Sequence, residues 1–446
     1  MRLVHVRPAL GTDRGCPVDN VTHTLAGVVV AEVALAFRKR RTSRDPLPSL
    51  SRAAWLASAG ANNVPDLDFL YAGITEQPLG YLLHHRGHTH TFALAPFVAL
   101  LPFAAAVALE RWSARRVDPA PRRPEEGPSE KAPSNRTSWP LLYGLSLMGC
   151  VLHVLMDGTN NYGVHPLWPF DGRWMFGDTI FIVEPLWWVV LAAPLVFTPK
   201  ARWTRAALAL PPIAAIGLAI ATRMVLPPFV ALLGALAPLL YYAGRRATRS
   251  GRAALAASLG VLVLVVFALA GGIARASAEA EVNARYRGSV LHDLVLSPMP
   301  GNPLCWAGLT VESDARSLHY RRIAVSVWPS MITAEGCHVD PPRETMAPRM
   351  PELAPSGAEV QFFDTLSVPL DRMRTLARED CRIAAYLVFS RAPFVIEAYD
   401  GTLVGDARYD TSRDPSWSKM VLTEETDACP RWLPGWTPPR GDLFAQ

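Results

Sequence analysis

Long apolar stretches separated by short polar segments dominate the chain up to residue 274. Four stretches contain no charged residue: residues 91–109, 206–222, 224–244 and 253–274. Three more carry an isolated acid or histidine near hydrocarbon: residues 22–37 with Glu32, 139–156 with His153, and 179–199 with Glu184. Because roughly 17 to 25 apolar residues in a helix cross the core of a bilayer, this pattern predicts an all-α polytopic membrane domain with about six or seven helical spans.

The pattern changes after residue 274. Segments such as "RRIAVSVWPS" and "EVQFFDTLSVPL" are rich in β-branched and aromatic residues and are interrupted by proline and glycine, which is typical of strands. Residues 280–446 are therefore expected to form a β-rich soluble domain, and residues 201–275 additional transmembrane helices.

Composition agrees with a membrane protein. Of 446 residues, 50% are hydrophobic and 19% charged, with a mean hydropathy of +0.15. Soluble proteins usually carry about a quarter charged residues. A soluble enzyme of ordinary composition is thereby excluded, and the lipid bilayer is the first partner that the sequence predicts.

Basic residues set the expected orientation. The four loops 38–52, 111–136, 200–205 and 245–252 hold twenty lysines and arginines, whereas residues 63–90 and 157–184 together hold two arginines and seven acids. Since short cytoplasmic loops concentrate lysine and arginine, the acidic and histidine-rich loops are expected outside the cytoplasmic membrane of a bacterium, together with residues 280–446. These loops account for the formal net charge of +5, so no nucleic-acid partner is expected.

The soluble domain contains four of the six cysteines. In an oxidising compartment Cys305, Cys337, Cys381 and Cys429 allow up to two disulfides with three pairings, and free buried thiols are the alternative. None of them has the Cys-x-x-Cys spacing of a zinc ribbon. Cys16 and Cys150 are expected to remain unpaired.

The polar residues of the membrane half cluster in four groups: "DNVTHT" (residues 19–24), "NNVPDLDF" (62–69), "HHRGHTHT" (84–91) and a long segment over 153–185. The orientation places all four at the outward ends of spans. His153 and Asp157 are four residues apart and share one helix face, an arrangement that suits a divalent cation such as Zn²⁺. Any one histidine or aspartate alone would more simply be a helix-end or turn residue, but charged groups near hydrocarbon are costly and mark function. The convergence predicts a metal site.

In this order, "DNVTHTLAG", "NVPDLD", "HRGHTHT", "HVLMDGTNNYG" and "FIVEP" resemble the family of inner-membrane-associated, metal-dependent hydrolases, one branch of which is called LexA-binding. The resemblance covers residues 18–197 and implies a hydrolase-like domain over residues 18–200. The metal ligands that it implies are His23, Asp66, His85, His90, His153, Asp157 and Glu184. Glu184 stands where many relatives carry aspartate. Family members begin near "DNVTH", so residues 1–17 are expected to be an extension outside the folded structure, with translation starting at Val18.

The expected function is metal-dependent hydrolysis at the outer membrane surface, of a phosphoester or a lipid-linked substrate, with zinc as the expected ion. Arg86 would pair with an anionic substrate group, or alternatively extend to the bilayer interface. Asp68 and Asp178, and also Glu184, are candidates for a general base or for orienting a ligand. The rival hypothesis is a membrane-embedded regulatory or binding protein with a structural metal. A transporter is less well supported, because the sequence shows no internal repeat and the four polar groups lie at the ends of the spans.

Overall fold

The computed structural model describes residues 19–115, 139–337, 349–351, 357–398, 401–409, 416–422 and 428–444. The expected extension of residues 1–17, with Cys16, lies outside the described residues, so the structure does not test it.

The helical half contains, within the described residues, α1 (Asn20–Thr42), α2 (Pro48–Ala61), α3 (Leu79–His84), α4 (Ala95–Val98), α5 (Leu100–Arg115), α6 (Trp139–Asp157), α7 (Pro185–Ala192), α8 (Arg202–Thr222), α9 (Pro227–Arg246) and α10 (Arg249–Arg285). In the described part of the chain, six helical segments are long and apolar enough to cross a membrane: α1, the continuous α4–α5 segment, α6, α8, α9 and α10. The prediction of a helical membrane domain is confirmed.

Two helices differ from the sequence prediction. The stretch 179–199 forms only the short apolar helix Pro185–Leu195, because residues 179–184 are non-helical and the Glu184 carboxylate caps the helix at the Leu186 N–H. α2 was not predicted as a separate element, since its 14 residues are mostly alanine and serine. It packs nevertheless against α1, α5 and α6.

Small residues bring α1 and α6 onto α2. A Cβ atom added to Gly27 of α1 would lie 2.5 Å from Ala59 Cα, and one added to Gly149 of α6 would lie 2.6 Å from the Ser58 carbonyl oxygen. Such close backbone approach is the usual packing of helices in membranes. It aligns the first turn of α1, the last turn of α6 and the segment after α2 at one end of the bundle, which we call the site end.

Glu32, the acid inside the first apolar stretch, is buried between helices. Arg249 at the start of α10 pairs with its carboxylate at 2.6 Å, and the Trp55 indole N–H donates to it at 2.7 Å. The charge therefore ties α1 to α2 and α10 and is compensated as a buried ion requires.

The C-terminal part is a β-rich domain, as predicted. Its first sheet has the order β1-β2-β3-β5-β4, all antiparallel, from β1 (Val290–Met299), β2 (Asn302–Ser313), β3 (Ser317–Ser326), β4 (Arg349–Pro351) and β5 (Val360–Pro369). Helices α11 (Leu370–Glu379) and α12 (Cys381–Leu387) precede a second antiparallel sheet of β6 (Pro393–Ala398), β7 (Gly401–Asp406) and β8 (Lys419–Leu422), and α13 (Gly441–Phe444) follows.

Each half of this domain contains one disulfide. Cys305 bonds to Cys337 and Cys381 to Cys429, which selects one of the three possible pairings. Cys150 in α6 is a buried free thiol.

The β-rich domain covers the site end of the bundle. The Trp436 indole N–H donates to the Leu83 carbonyl at 2.9 Å, and Arg408 donates to the Asn161 carbonyl at 2.8 Å. The loops that carry the polar motifs therefore lie between the membrane helices and the C-terminal domain.

Candidate metal centre

Two aspartates and two histidines converge at the site end. One ligand atom from each of Asp66, His90, His153 and Asp157 lies within 4.8 Å of all the others, and all four side chains are buried. The Nε2 atoms of the two histidines are 2.9 Å apart. Each Nε2 lies 3.2–3.4 Å from Asp66 Oδ1 and from Asp157 Oδ2.

Local structure explains this convergence. His153 and Asp157 occupy the last turn of α6, so their side chains stack on one face. After α2, Pro65 opens a short 3₁₀ helix, Val64–Leu70, that turns Asp66 and Asp68 inward. His90 is delivered by a tight turn in which Gly87 passes so close to the His84 carbonyl that an added Cβ would lie 2.6 Å from its oxygen.

Hydrogen bonds behind the ligands orient both imidazoles. His153 Nδ1 lies 2.9 Å from the Asn62 carbonyl oxygen, and His90 Nδ1 lies 3.2 Å from Asp68 Oδ2. An acceptor on Nδ1 keeps the proton there and leaves the Nε2 lone pair free for a cation. Both Nε2 atoms face the centre.

Asp68 lies behind the metal ligands, contacts His90 there, and is fully buried. Its carboxylate accepts hydrogen bonds from the Arg86 backbone N–H at 2.8 Å and the Thr89 hydroxyl at 3.2 Å. His85 Nδ1 lies 3.1 Å from its other oxygen. Burial alone would raise the pKa of Asp68, but His85 and His90 hold it well below its usual range.

The donor set fits a divalent cation. Both Asp66 oxygens and Asp157 Oδ2 are buried without a hydrogen-bond partner in the described part of the chain, a costly state unless a cation satisfies them. Tetrahedral zinc with bonds of about 2.0–2.1 Å has ligands about 3.3 Å apart. The two histidine Nε2 atoms lie 2.9–3.4 Å from each other and from the two carboxylate oxygens, which is close to that spacing. Asp66, Asp68 and Asp157 carry three negative charges against the one positive charge of Arg86, a difference that one divalent ion cancels.

Asp157 also faces a second environment. Its other oxygen, Oδ1, lies 3.0 Å from Arg86 Nη2 and 3.3 Å from His23 Nε2. Arg86 is held in turn by Asn160 Oδ1 at 2.9 Å and lies over the Tyr162 ring. His23, Arg86 and Asp157 line a small cleft of about 20 Å³, so water can reach the cluster from this side.

Four residues expected at the site have other surroundings. His23 contacts Asp157 and His85 contacts Asp68, but neither histidine belongs to the four converging ligands. Glu184 accepts hydrogen bonds from the Leu186 and Gly301 backbone N–H groups, and burial raises its pKa to about 8. Asp178 pairs with Arg391 at 2.8 Å and with Arg275 at 3.1 Å. The last two carboxylates therefore bind groups at the junction with the C-terminal domain.

Several residues around the site have no sequence pattern that predicts their role. Asn62 and Asn160 lie in two of the polar motifs, but the motifs assign neither of them a function. Trp436 lies outside all of the polar motifs of the sequence. Its ring stacks on the buried His165 with the centroids 4.0 Å apart. His165 Nδ1 lies 3.4 Å from the Arg86 carbonyl oxygen, so the C-terminal domain supports the turn that holds Arg86.

Residues 18–227 match the model of a family described as YdjM inner membrane protein. The matched part contains the whole metal centre and ends where α9 begins, so the C-terminal domain lies outside it. The match agrees with an inner-membrane family of the kind that the sequence motifs resemble. No curated protein and no solved structure matches the chain.

Proposed function

We propose that the protein is a metal-dependent hydrolase that cleaves a phosphoester at the outer face of the cytoplasmic membrane. The observation that carries the proposal is the double environment of Asp157. Its Oδ2 belongs to the four converging ligand atoms, while its Oδ1 faces Arg86 and His23 on the wall of the cleft. A cation site and an anion-binding group thus share one residue.

Two imidazoles and two carboxylates suit zinc. When bound by Asp66, His90, His153 and Asp157, the ion would supply the Lewis acidity that polarises a phosphoryl oxygen and activates water. Asp68 would orient His90 and not act as a general base, since its two oxygens already contact His85, His90, the Arg86 N–H and the Thr89 hydroxyl. Asp178 and Glu184 take no part in the proposal.

Arg86 would bind the phosphoryl oxygens. A guanidinium presents two parallel N–H groups to a phosphate, and the Nη2 atom of Arg86 already lies at an anionic oxygen, Asp157 Oδ1. His23, 3.3 Å from the same oxygen, would take a proton from the attacking water and return it to the leaving group. The water oxygen bonds to phosphorus, the bond from phosphorus to the alcohol oxygen breaks, and the alcohol leaves with the proton.

The outward orientation rests on the loops. The last turn of α1 carries Lys39, Arg40 and Arg41 at the end opposite the site, and α9 ends in Arg245 and Arg246. Basic residues at that end favour the cytoplasm, which leaves the site end outside.

The test is turnover by purified full-length protein with added zinc or manganese, on p-nitrophenyl phosphate and bis-p-nitrophenyl phosphate. We expect activity that a chelator abolishes. Arg86→Ala should lower kcat/KM about 10²- to 10³-fold while the bound metal stays unchanged, and the exposed Arg372→Ala should match wild type. Metal-loaded protein without turnover on either ester would contradict the proposal.

A second candidate is a regulatory or binding protein with a structural metal. The observation that favours it is the number of protein ligands, because four of them complete a tetrahedral shell as in structural zinc sites. This alternative predicts tightly bound metal, loss of folding on metal removal, and no turnover.

A further inference from the structure

The loop that carries Asp66 has two chemically opposite faces. In the 3₁₀ helix Val64–Leu70, Asp66 and Asp68 are buried. The side chains between and after them point away from the protein: Leu67 is 40% exposed, Phe69 57% and Leu70 72%. Large apolar side chains on a loop that is otherwise held by polar contacts mark a surface that contacts something apolar.

The surroundings identify that apolar phase as the bilayer. The loop follows α2, and it packs on the last turn of α6 and on the turn that holds His90. α6 is one of the six membrane-crossing candidates, so its end lies at the depth where hydrocarbon meets headgroups. Ile74, a few residues further on, is 52% exposed as well.

The cleft beside the centre has a mixed lining. It includes the polar residues His23, Arg86 and Asp157 and apolar residues, among them Phe181 and Ile182. A site for a free water-soluble phosphoester has no need for these apolar side chains, whereas a molecule with an acyl or isoprenoid chain can lay its first carbons along them.

We propose that the substrate is a membrane lipid phosphoester: its phosphate binds at Arg86 beside the cluster, its chain passes along Phe181 and Ile182, and Leu67, Phe69 and Leu70 hold the loop in the headgroup layer. The inference rests on the proposed hydrolase function and adds the substrate class. Water adds its oxygen to phosphorus, the phosphorus–oxygen bond breaks, and the lipid part or the headgroup leaves as an alcohol with the proton.

The experiment compares chain lengths at a constant headgroup. Full-length protein with zinc is given dioleoyl or dihexanoyl phosphatidate, and likewise the two forms of phosphatidylglycerol, the long-chain lipids in phosphatidylcholine vesicles. Three proteins are compared: wild type, Phe69→Ser/Leu70→Ser, and Trp328→Ser/Met331→Ser. The last pair is a matched control, because Trp328 and Met331 of the C-terminal domain are 58% and 69% exposed.

Wild type should prefer the long-chain form of one headgroup by about tenfold or more, as the burial of apolar groups in lipid implies. Phe69→Ser/Leu70→Ser should lose that preference and keep short-chain turnover and bound metal, whereas the control pair should behave as wild type. Phe181→Ser should raise KM for the long-chain form only.

Two results overturn the inference in distinguishable ways. Equal turnover of long and short chains, unaffected by Phe69→Ser/Leu70→Ser, would refute lipid selectivity and leave the hydrolase proposal standing. Absence of turnover on every lipid and on p-nitrophenyl esters, in protein shown to contain metal, would refute both.

Discussion

Replacing Asp68 by asparagine tests the outer layer of the metal centre. The carboxylate meets four donors, namely two imidazole Nδ1 atoms, the Arg86 N–H and the Thr89 hydroxyl. Asparagine keeps one acceptor oxygen and turns an NH₂ group toward the remaining partners. Where that NH₂ faces His90, Nδ1 must accept, so the proton moves to Nε2 and blocks the atom that lies in the cluster.

The expected loss follows from this change of tautomer. Removal of an orienting carboxylate behind a metal-bound histidine typically weakens metal affinity 10- to 100-fold, or about 1.4–2.7 kcal/mol. Because Asp68 orients His90 and also contacts His85, we expect Asp68→Asn to fall in the upper half of that range. Competition with a chromophoric zinc chelator in detergent measures the affinity.

The matched control is Asp178→Asn. Asp178 is also a buried carboxylate, but it pairs with Arg391 and Arg275 and has no contact with the cluster among the described residues. It should lower the melting temperature and leave zinc affinity within about twofold. Wild-type affinity in Asp68→Asn, or an equal loss in both variants, would refute the reasoning.

Three further predictions concern the C-terminal domain and its junction with the helical half. Burial raises the pKa of Glu184 to about 8, above its ordinary 4.5, so its contribution to stability is complete below about pH 4.5 and is lost as pH rises through 8. In melts followed by tryptophan fluorescence, the melting temperature of wild type should fall from about pH 6 to about pH 9, and that of Glu184→Gln should fall much less. An equal fall in both proteins would contradict this. Arg391→Ala deprives the buried Asp178 and the partly buried Asp293 of a shared guanidinium and should cost about 3–5 kcal/mol, against at most about 1 kcal/mol for the exposed Arg372→Ala. Similar melting temperatures for the two variants would argue against this ion network. The two disulfides span 32 and 48 residues and should each contribute about 4 kcal/mol to stability. Because the four cysteines are bonded, they should react with maleimide only after reduction. Labelling of all four in untreated membranes would contradict the disulfides and the outward placement of the domain.

Periodicity and motif spacing predicted what lies within single elements. The charge-free stretches 206–222, 224–244 and 253–274 predicted the spans of α8 to α10, and the four-residue spacing of His153 and Asp157 predicted that they share a site. The order of the motifs also led to Asp66 and His90. These features are local, or follow from the common orientation of span ends.

Contacts between distant residues could not be predicted in this way. The sequence predicts Glu184 as a metal ligand and Asp178 as a general base or orienting residue, yet Gly301 and Arg391, more than one hundred residues further on, bind their carboxylates. Hydropathy did not predict α2, because alanine and serine are only weakly apolar or polar. The helix is stabilised instead by close packing against Gly27 and Gly149. The disulfide pairing likewise depended on the arrangement of the C-terminal sheets.

The most direct test of the central claim is the metal content of full-length protein purified without chelators, measured by inductively coupled plasma mass spectrometry. Wild type should carry about one equivalent of zinc or a similar ion, and Asp66→Asn and His153→Gln should each lose it. His84→Gln, which alters a buried histidine that pairs with Thr75 instead, should retain it. Metal-free wild type, or metal retained in both cluster variants, would contradict the account.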